Sequence, residues 1–398
     1  MSPDGRHLYV ATPYTIWTFA RDTASGTLRR MRGRHGCIRH GSPRARCGLA
    51  RAMSGIRGLA ISPDGRHVYV AAQNSRSITI LRRDPVTGRL RQGFRRRACV
   101  SQFRSPCRRT RGGFAYPEAV AVSPNGRNVY AASSTSVGPH GDGAVAVFSR
   151  NTRNGLLRQA HGMRGCLSDG GDEGCTPARG IAGATAITSA PDGRRVYVAA
   201  TLPQPGRIAI FRRLRSGELR QPGASHGCLV ARGRRQLRAR LRCAAARGLS
   251  LPTSVVMSPD ARSIYIPQRE SDRVLVFRQS PDGPLRQLLG RRGCVAWDGG
   301  PCASARGFPD PLRAAVSPDG RNVYFGTSIG MAAFRRASTG ALRQLPGRFG
   351  CEDFFGGEGC RETEVFTEGT DKFVAIAPDA RHVYLGSNLL IELFRRMP

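Results

Sequence analysis

Lysine is almost absent from this chain, although the chain is strongly basic. Of its 63 basic residues only Lys372 is a lysine, and all the others are arginines. A replacement this complete, spread over the whole chain, indicates a compositional bias of the genome and argues against one designed binding patch. With only 27 acidic residues the formal net charge is +36. Polyanions should therefore be attracted at low ionic strength.

Long hydrophobic runs and several well-known motifs are also missing. No stretch of 18 apolar residues occurs, so no membrane-spanning helix is expected. Only two tryptophans and no nucleic-acid-binding motif are present, which argues against nucleic-acid recognition. The motifs of serine hydrolases, P-loop proteins and dinucleotide-binding proteins are absent. The chain opens on MSPDGRHLYV, inside a repeat and without a signal peptide, and we expect its natural start to lie upstream.

The twelve cysteines form six pairs that are close in sequence. With eight to fifteen positions between partners, the pairs are Cys37/Cys47, Cys99/Cys107, Cys166/Cys175, Cys228/Cys243, Cys294/Cys302 and Cys351/Cys360. An even number of cysteines in recurrent local pairs predicts disulfides, and hence a secreted, periplasmic or cell-envelope protein. Reduced or zinc-bound thiols are the alternative, but paired zinc ligands are usually only about two to four residues apart.

One turn motif recurs seven times and organises the chain. Two of its clearest copies are SPDGRHVYV from Ser62 and SPDGRNVYF from Ser317. The turn prolines of the seven copies are Pro3, Pro63, Pro124, Pro191, Pro259, Pro318 and Pro378. Successive prolines are 59 to 68 residues apart. Seven copies at one period predict a repeat architecture.

Each repeat predicts four short antiparallel strands. A small apolar run precedes the turn, where proline fixes φ and Asp-Gly or Asn-Gly tolerates a positive φ. The second strand carries one tyrosine, the third ends on a large apolar residue, and a glycine turn leads to a fourth strand with a leucine. The tyrosines are Tyr9, Tyr69, Tyr130, Tyr197, Tyr265, Tyr324 and Tyr384. The cysteine pairs lie in the connections from each fourth strand to the next repeat.

These features predict an all-β fold. Four antiparallel strands per repeat are typical of propeller blades. We predict a single domain, residues 1–398, forming a seven-bladed β-propeller in which the first blade lacks its first strand and the seventh lacks its fourth. The approximate blades are residues 1–54, 55–115, 116–180, 181–250, 251–309, 310–369 and 370–398.

The repeat resembles a known family. SPDGRxVYV followed by a segment of the form FRRDxxTGxLRQ resembles the lactonase-type, YVTN-like seven-bladed propellers, most fully at residues 62–92 and 317–344. Loops such as GCLSDGGDEGC (Gly165–Cys175) resemble a bacterial branch with a cysteine pair in each blade. The resemblance implies the fold. The wider family includes 6-phosphogluconolactonase and carboxymuconate cyclase, which use the central channel, but a scaffold motif leaves activity open.

One position varies between blades where the rest of the repeat is constant. It lies six residues before the turn proline and is occupied by Arg57, Glu118, Thr185, Thr253, Leu312 (followed by Arg313) and Lys372. Varied polar residues at equivalent channel-mouth positions would suit one asymmetric ligand. Lactone hydrolysis needs a base and positive groups, so Glu118 is the candidate base, with Arg57, Arg313 and Lys372 holding the anion. The alternative is that exposed strand starts vary freely.

Most histidines repeat with the blades, which favours a structural role. His7, His67 and His382 follow the turn, His35, His161 and His226 precede a first cysteine, and His40 lies in a cysteine loop. His140, in VGPHGDGA beside Asp142, departs from the pattern and is a further catalytic candidate. The acidic loops at 168–174 and 352–359 offer oxygen ligands for Ca²⁺ but lack the spacing of a calcium loop. No metal and no cofactor is predicted.

Three functions from different classes remain open. The first is an exported, disulfide-stabilised monomer that binds an unidentified small molecule or protein at the channel face, without catalysis. The second is a hydrolase or cyclase of small lactones with its site at the channel mouth. The third is association with polyanions or the cell envelope through a cationic rim of the arginines after each turn. Those arginines are Arg6, Arg66, Arg127, Arg194, Arg262, Arg321 and Arg381.

Overall fold

A computed structural model describes residues 1–41, 46–93, 96–103, 106–113, 115–134, 143–171, 174–202, 204–281, 283–363, 372–387 and 390–396. The described residues are mostly strands joined by tight turns, with short helices α1 (Gly33–Gly36) and α2 (Arg235–Leu241). The chain packs as two compact units, residues 1–203 with 208–222 and residues 204–207 with 223–398. Within the described ranges, no helix is long and apolar enough to cross a membrane.

The first four blades contain 23 strands in sequence order. Blade 1 has β1 (His7–Thr12), β2 (Thr15–Arg21), β3 (Leu28–Arg30), β4 (Cys37–His40) and β5 (Gly48–Ala50). Blade 2 has β6 (Ile56–Ile61), β7 (His67–Ala72), β8 (Ser77–Arg83), β9 (Leu90–Gln92), β10 (Cys99–Ser101) and β11 (Arg108–Arg109). Blade 3 has β12 (Tyr116–Val122), β13 (Asn128–Ser134), β14 (Gly143–Arg150), β15 (Leu157–Gln159), β16 (Cys166–Asp169) and β17 (Thr176–Ala178). Blade 4 has β18 (Ala184–Ser189), β19 (Arg195–Ala200), β20 (Arg207–Arg213), β21 (Leu219–Arg220), β22 (Cys228–Ala231) and β23 (Ala244–Ala246).

The last three blades follow the same order. Blade 5 has β24 (Leu251–Pro252), β25 (Val256–Met257), β26 (Ser263–Arg269), β27 (Arg273–Gln279), β28 (Leu285–Gln287), β29 (Cys294–Ala296) and β30 (Ala303–Ser304). Blade 6 has β31 (Arg313–Val316), β32 (Asn322–Gly326), β33 (Gly330–Arg336), β34 (Leu342–Gln344), β35 (Cys351–Asp353) and β36 (Arg361–Glu362). Blade 7 has β37 (Lys372–Ile376), β38 (His382–Ser387) and β39 (Leu390–Arg395). The predicted all-β, seven-bladed propeller is confirmed.

The blades carry more strands than the four predicted from sequence. In blade 3 the first three strands pair antiparallel, with Tyr130 opposite Val147, and the short β15 pairs with the end of β14. The strand that starts at the first cysteine, β16, then pairs with the beginning of β14, and β17 adds to it in parallel. The cysteine loops are thus part of each blade's outer edge and not merely connections.

The hydrophobic core lies between successive blades. Tyr69 of blade 2 and Phe148 of blade 3 are fully buried in one cluster, and Tyr130 and Phe211 repeat this arrangement one blade further on. In the second unit Tyr265 and Phe334 do the same. The period-2 alternation of each strand therefore places one apolar row against each neighbouring blade, as buried sheets require.

A buried arginine joins each pair of neighbouring blades. At the end of β14, Arg150 donates to both carboxylate oxygens of Asp64 at 2.7 and 3.0 Å and to the Tyr69 hydroxyl at 2.8 Å. Its Nη2 also lies 2.8 Å from Nδ1 of His67. Equivalent contacts involve Arg83 with Asp4 and Tyr9, Arg213 with Asn128 and Tyr130, Arg336 with Asp260 and Ser263, and Arg396 with Asp319 and Asn322. These pairs are charge-assisted and largely shielded from water, so they fix the angle between blades.

Candidate functional site

The variable position of the first strand is a β-bulge in the first unit. Pairing shifts register between Ile56 and Gly58, between Pro117 and Ala119, and between Ala184 and Ala186. Arg57, Glu118 and Thr185 are the extra residues at these three shifts. Strands β6, β12 and β18 are neighbours, so the three bulges lie at the same end of adjacent strands. A bulge redirects a side chain out of the pleat, which explains why this position escapes the repeat pattern.

Glu118 is held in place by two hydrogen bonds to one of its oxygens. Its Oε1 accepts from Nε2 of Gln73 at 2.5 Å and from the Ser134 hydroxyl at 2.9 Å. The nearest cation to the other oxygen, Oε2, is Nε of Arg57 at 3.9 Å. The Glu118 side chain is 16% exposed, so the carboxylate is oriented by the protein but remains within reach of water.

Gln73 connects the acid to the arginine. Its Oε1 accepts from Nε of Arg57 at 3.1 Å, while its Nε2 donates to Glu118. A second arginine, Arg76, donates to the Tyr116 hydroxyl at 2.6 Å and lies over the Tyr116 ring, 4.6 Å from its centroid. The arrangement combines one oriented carboxylate with two cations on neighbouring strands, which suits proton abstraction from water beside a developing negative charge.

Sequence reasoning missed Gln73, Ser134, Arg76 and Tyr116. Gln73 and Ser134 each lie four residues after the blade tyrosine, where the second strand ends opposite the start of the first. In other blades this position holds Pro13, Thr201, Arg269, Ser328 and Asn388. The same variability that singled out Glu118 could therefore have identified this second ring of positions.

The second unit places its candidates at the corresponding strand starts. Thr253 lies in the gap between β24 and β25, and Nη1 of Arg313 donates to its carbonyl oxygen at 3.4 Å. Leu312 is buried, so the neighbouring Arg313 supplies the polar group. Lys372 begins β37 and pairs with Ser387. Thr253 and Arg313 are thus brought together, whereas His140 and Asp142 lie outside the described residues.

The turn histidines described in the first unit belong to the blade contacts. His7 and His67 are buried beside Arg83 and Arg150. Burial and the adjacent Arg150 lower the pKa of His67 to about 4, and the same causes, with Arg83, lower the pKa of His7. These imidazoles are therefore neutral hydrogen-bonding groups at pH 7.

The cysteine loops are closed by disulfides. The bonded pairs are Cys37–Cys47, Cys99–Cys107, Cys166–Cys175, Cys228–Cys243, Cys294–Cys302 and Cys351–Cys360. In the acidic loop of blade 6, Asp353 Oδ1 accepts from the amides of Phe355 and Gly357 at 2.8 and 3.2 Å. That carboxylate closes its own turn. Six disulfides indicate a protein that works outside the cytoplasm.

Comparisons with known proteins agree with the fold. Residues 48–102 match the family described as lactonase, 7-bladed beta-propeller. The periplasmic gluconolactonase of Pseudomonas aeruginosa aligns with a TM-score of 0.61 and 19% identity, over 98% of this chain and 92% of its own. A Bacteroides uniformis structure assigned as a 6-phosphogluconolactonase gives 0.54 and 19%, over 96% and 88%.

Hydrazine synthase of Kuenenia stuttgartiensis also aligns, with a TM-score of 0.59 and 12% identity, over 100% of this chain and 94% of its own. Likenesses at such low identity show the fold alone, since one propeller scaffold serves unrelated chemistries. No curated protein sequence matches the chain.

Proposed function

Because this chain is a disulfide-stabilised β-propeller that resembles the lactonase-type, seven-bladed family, we propose that it hydrolyses small sugar lactones. The observation that carries the proposal is the Glu118 centre, a carboxylate fixed by Gln73 and Ser134 with Arg57 beside its second oxygen. The structural likeness to gluconolactonase-type propellers supports the reaction class. The six disulfides support an extracytoplasmic site of action, either secreted, periplasmic or in the cell envelope.

The proposed reaction adds water across the lactone ester bond. Oε2 of Glu118 takes a proton from water while the water oxygen attacks the carbonyl carbon, and the carbonyl electrons move onto oxygen. The Arg57 guanidinium stabilises that oxyanion. When the tetrahedral intermediate collapses, the ring C–O bond breaks and the leaving alkoxide takes the proton back from Glu118. The product is the open hydroxy acid, and no co-reactant besides water is needed.

Gln73 is a positioning residue in this proposal. It touches both Arg57 and Glu118 but neither reacting atom, so it would set the distance between base and cation. Thr185, on the neighbouring bulge, lies where the hydroxyl groups of a sugar ring would be bound. Thr253, Arg313 and Lys372 are proposed to serve the same ligand from the second unit, as further contacts to an anionic substrate.

The test is proton release in a pH-stat, measured on a panel of aldonolactones and muconolactone. We expect turnover above the spontaneous rate, and Glu118→Gln should lower kcat by about 100-fold or more, the usual contribution of a general base. Gln73→Leu should act on kcat more than on KM. Glu218→Gln, which changes an exposed acid of the same unit, is the matched control and should leave the rate unchanged.

The competing function is a binding module without catalysis. Lack of turnover on the whole panel, or equal rates for wild type and Glu118→Gln, would remove the hydrolase proposal. Saturable binding of the same lactones, weakened by Arg57→Ala, would then support the binding module.

A further inference from the structure

A groove rich in arginine runs between the outer edges of blades 2 and 3. Its volume is about 760 Å³, and its wall is formed by Arg96, Arg97, Arg108, Arg109, Arg158 and Cys107. All five arginines are exposed. A second hollow of about 210 Å³ shares Arg108, Arg109 and Arg158 and extends the groove to Arg111 and His161. The cations therefore follow an extended surface and do not converge on one closed pocket.

The positive charge of this groove is not compensated locally. Among the ion pairs of the described residues, none includes any of these five arginines. Arg158 donates from Nη2 to Nε2 of His161 at 2.8 Å, a neutral acceptor that leaves the guanidinium charge in place. Residues 85–117 contain no aspartate or glutamate at all.

The repeat supplies an internal comparison that separates this groove from the general arginine excess. The two residues after the second cysteine are Arg108 and Arg109 in blade 2. The equivalent pairs are Gly48–Leu49, Thr176–Pro177, Ala244–Ala245, Ala303–Ser304 and Arg361–Glu362. A compositional bias of the genome acts on all blades alike. A double arginine in one blade, where the others have small residues or an arginine followed by an acid, is therefore specific to that blade.

The backbone that presents these arginines is rigid. Arg108 and Arg109 form β11, which pairs with β10, and the Cys99–Cys107 disulfide closes the loop between the two strands. On the other wall, the Gln159 side chain accepts from the amide of Arg111 at 2.7 Å and donates to the carbonyl of Gly165 at 3.0 Å. A ligand would therefore cost little ordering of the main chain.

We propose that this groove binds a linear anionic glycan. Guanidinium groups recognise sulfate, phosphate and carboxylate oxygens in pairs, so five arginines along one groove suit a polymer with repeated anionic groups. The disulfides indicate an extracytoplasmic protein, where anionic polysaccharides are the expected polyanions and nucleic acids are not. The groove is formed by different residues from the Glu118 centre, so this inference stands or falls independently of the proposed hydrolase.

The experiment measures binding of a fluorescein-labelled heparin decasaccharide by anisotropy at 50 and 200 mM NaCl. Arg108→Ala/Arg109→Ser gives blade 2 the residues that blade 5 has at these positions, so the fold should tolerate the change. We expect the variant to bind at least 10-fold more weakly at 50 mM NaCl. Its log Kd should also depend less steeply on log salt concentration, because fewer counterions are released.

The matched control is Arg291→Ala/Arg292→Ala, which removes two charges from the equivalent loop of blade 5. It should change Kd less than 2-fold, and circular dichroism should show both variants folded. Equal weakening by the two variants would mean that the probe follows only the net charge, and the proposal would be wrong. Tighter binding of a DNA duplex of similar charge, lost in the same variant, would overturn the assignment of a glycan.

Discussion

Single residues in this protein acquire their chemistry from the blade junctions. His67 is 2% exposed and, through burial and the neighbouring Arg150, its pKa is lowered to about 4, against 6.5 for a free side chain. Between these values the unfolded chain binds more protons than the native one. The native state must therefore lose stability as the pH falls from about 7 toward 4.

Replacing His67 by asparagine should remove part of that pH dependence. Asn128 and Asn322 occupy the same position in blades 3 and 6, and Asn128 Oδ1 accepts from Arg213 at 2.7 Å, so asparagine fits the junction. Between pH 7 and 5 we expect the free energy of unfolding of His67→Asn to fall by on the order of 1–2 kcal/mol less than that of wild type. Urea denaturation at the two pH values measures this difference. The exposed His226→Asn is the control, and parallel curves for His67→Asn and wild type would contradict the assignment.

At the scale of elements, the arginine contacts set how one blade packs on the next. The pattern holds at the junctions of blades 1 to 4 and 5 to 7, but residues of blades 4 and 5 depart from it. Blade 5 has Gln279 where its neighbours have arginine, and blade 4 has Arg195, hydrogen bonded to Tyr197, where its neighbours have histidine, asparagine or serine. The guanidinium has moved from one side of the repeat to the other, so its presence matters more than the strand that carries it.

This exchange predicts a compensating pair of substitutions. Arg150→Gln should destabilise the protein by about 3–5 kcal/mol, because the Tyr69 hydroxyl and the Asp64 carboxylate lose a buried partner. Adding His67→Arg reproduces the arrangement of blades 4 and 5 and should recover a substantial part of that loss. Urea denaturation of the two single variants and the double variant gives the coupling energy. Strict additivity would show that the two positions do not exchange the same role.

At the scale of the whole molecule, self-repulsion is the dominant electrostatic feature. The formal net charge of +36 is carried largely by exposed arginines, including those after each turn. Unlike the buried pairs, exposed charges are screened by salt over about 10 Å at 0.1 M ionic strength. Folding should therefore become more favourable as salt is added, because the compact state concentrates the charge more than the unfolded chain does.

We expect the melting temperature to rise by several degrees between 20 and 300 mM NaCl, as followed by differential scanning calorimetry. The triple variant Arg127→Glu/Arg153→Glu/Arg215→Glu changes three exposed residues of the first unit and lowers the net charge to +30, since each substitution changes the charge by two. Its melting temperature should depend less on salt. A salt response as large as that of wild type would point to specific ion binding and not to screening.

The sequence by itself determined the repeat, and with it the class of fold. Seven copies of the proline turn, one tyrosine per second strand and paired cysteines are local features, and local features survive in a one-dimensional reading because turn geometry and strand alternation depend on near neighbours. The variable position that includes Arg57 and Glu118 was also visible as a break in the pattern. What made it variable, a bulge, was not, because a bulge is defined by the pairing of two strands.

Only the tertiary structure decided which side chains meet. Arg150 and Asp64 are 86 residues apart, and Gln73 and Glu118 are 45 apart, yet each pair is in direct contact across a blade boundary. The cysteine loops likewise became outer strands because the beginning of the third strand had unpaired backbone groups to satisfy. Packing between blades thus turned variable or repetitive residues into an oriented acid, a set of buried arginine contacts and an exposed basic groove, since each depends on groups contributed by two neighbouring blades.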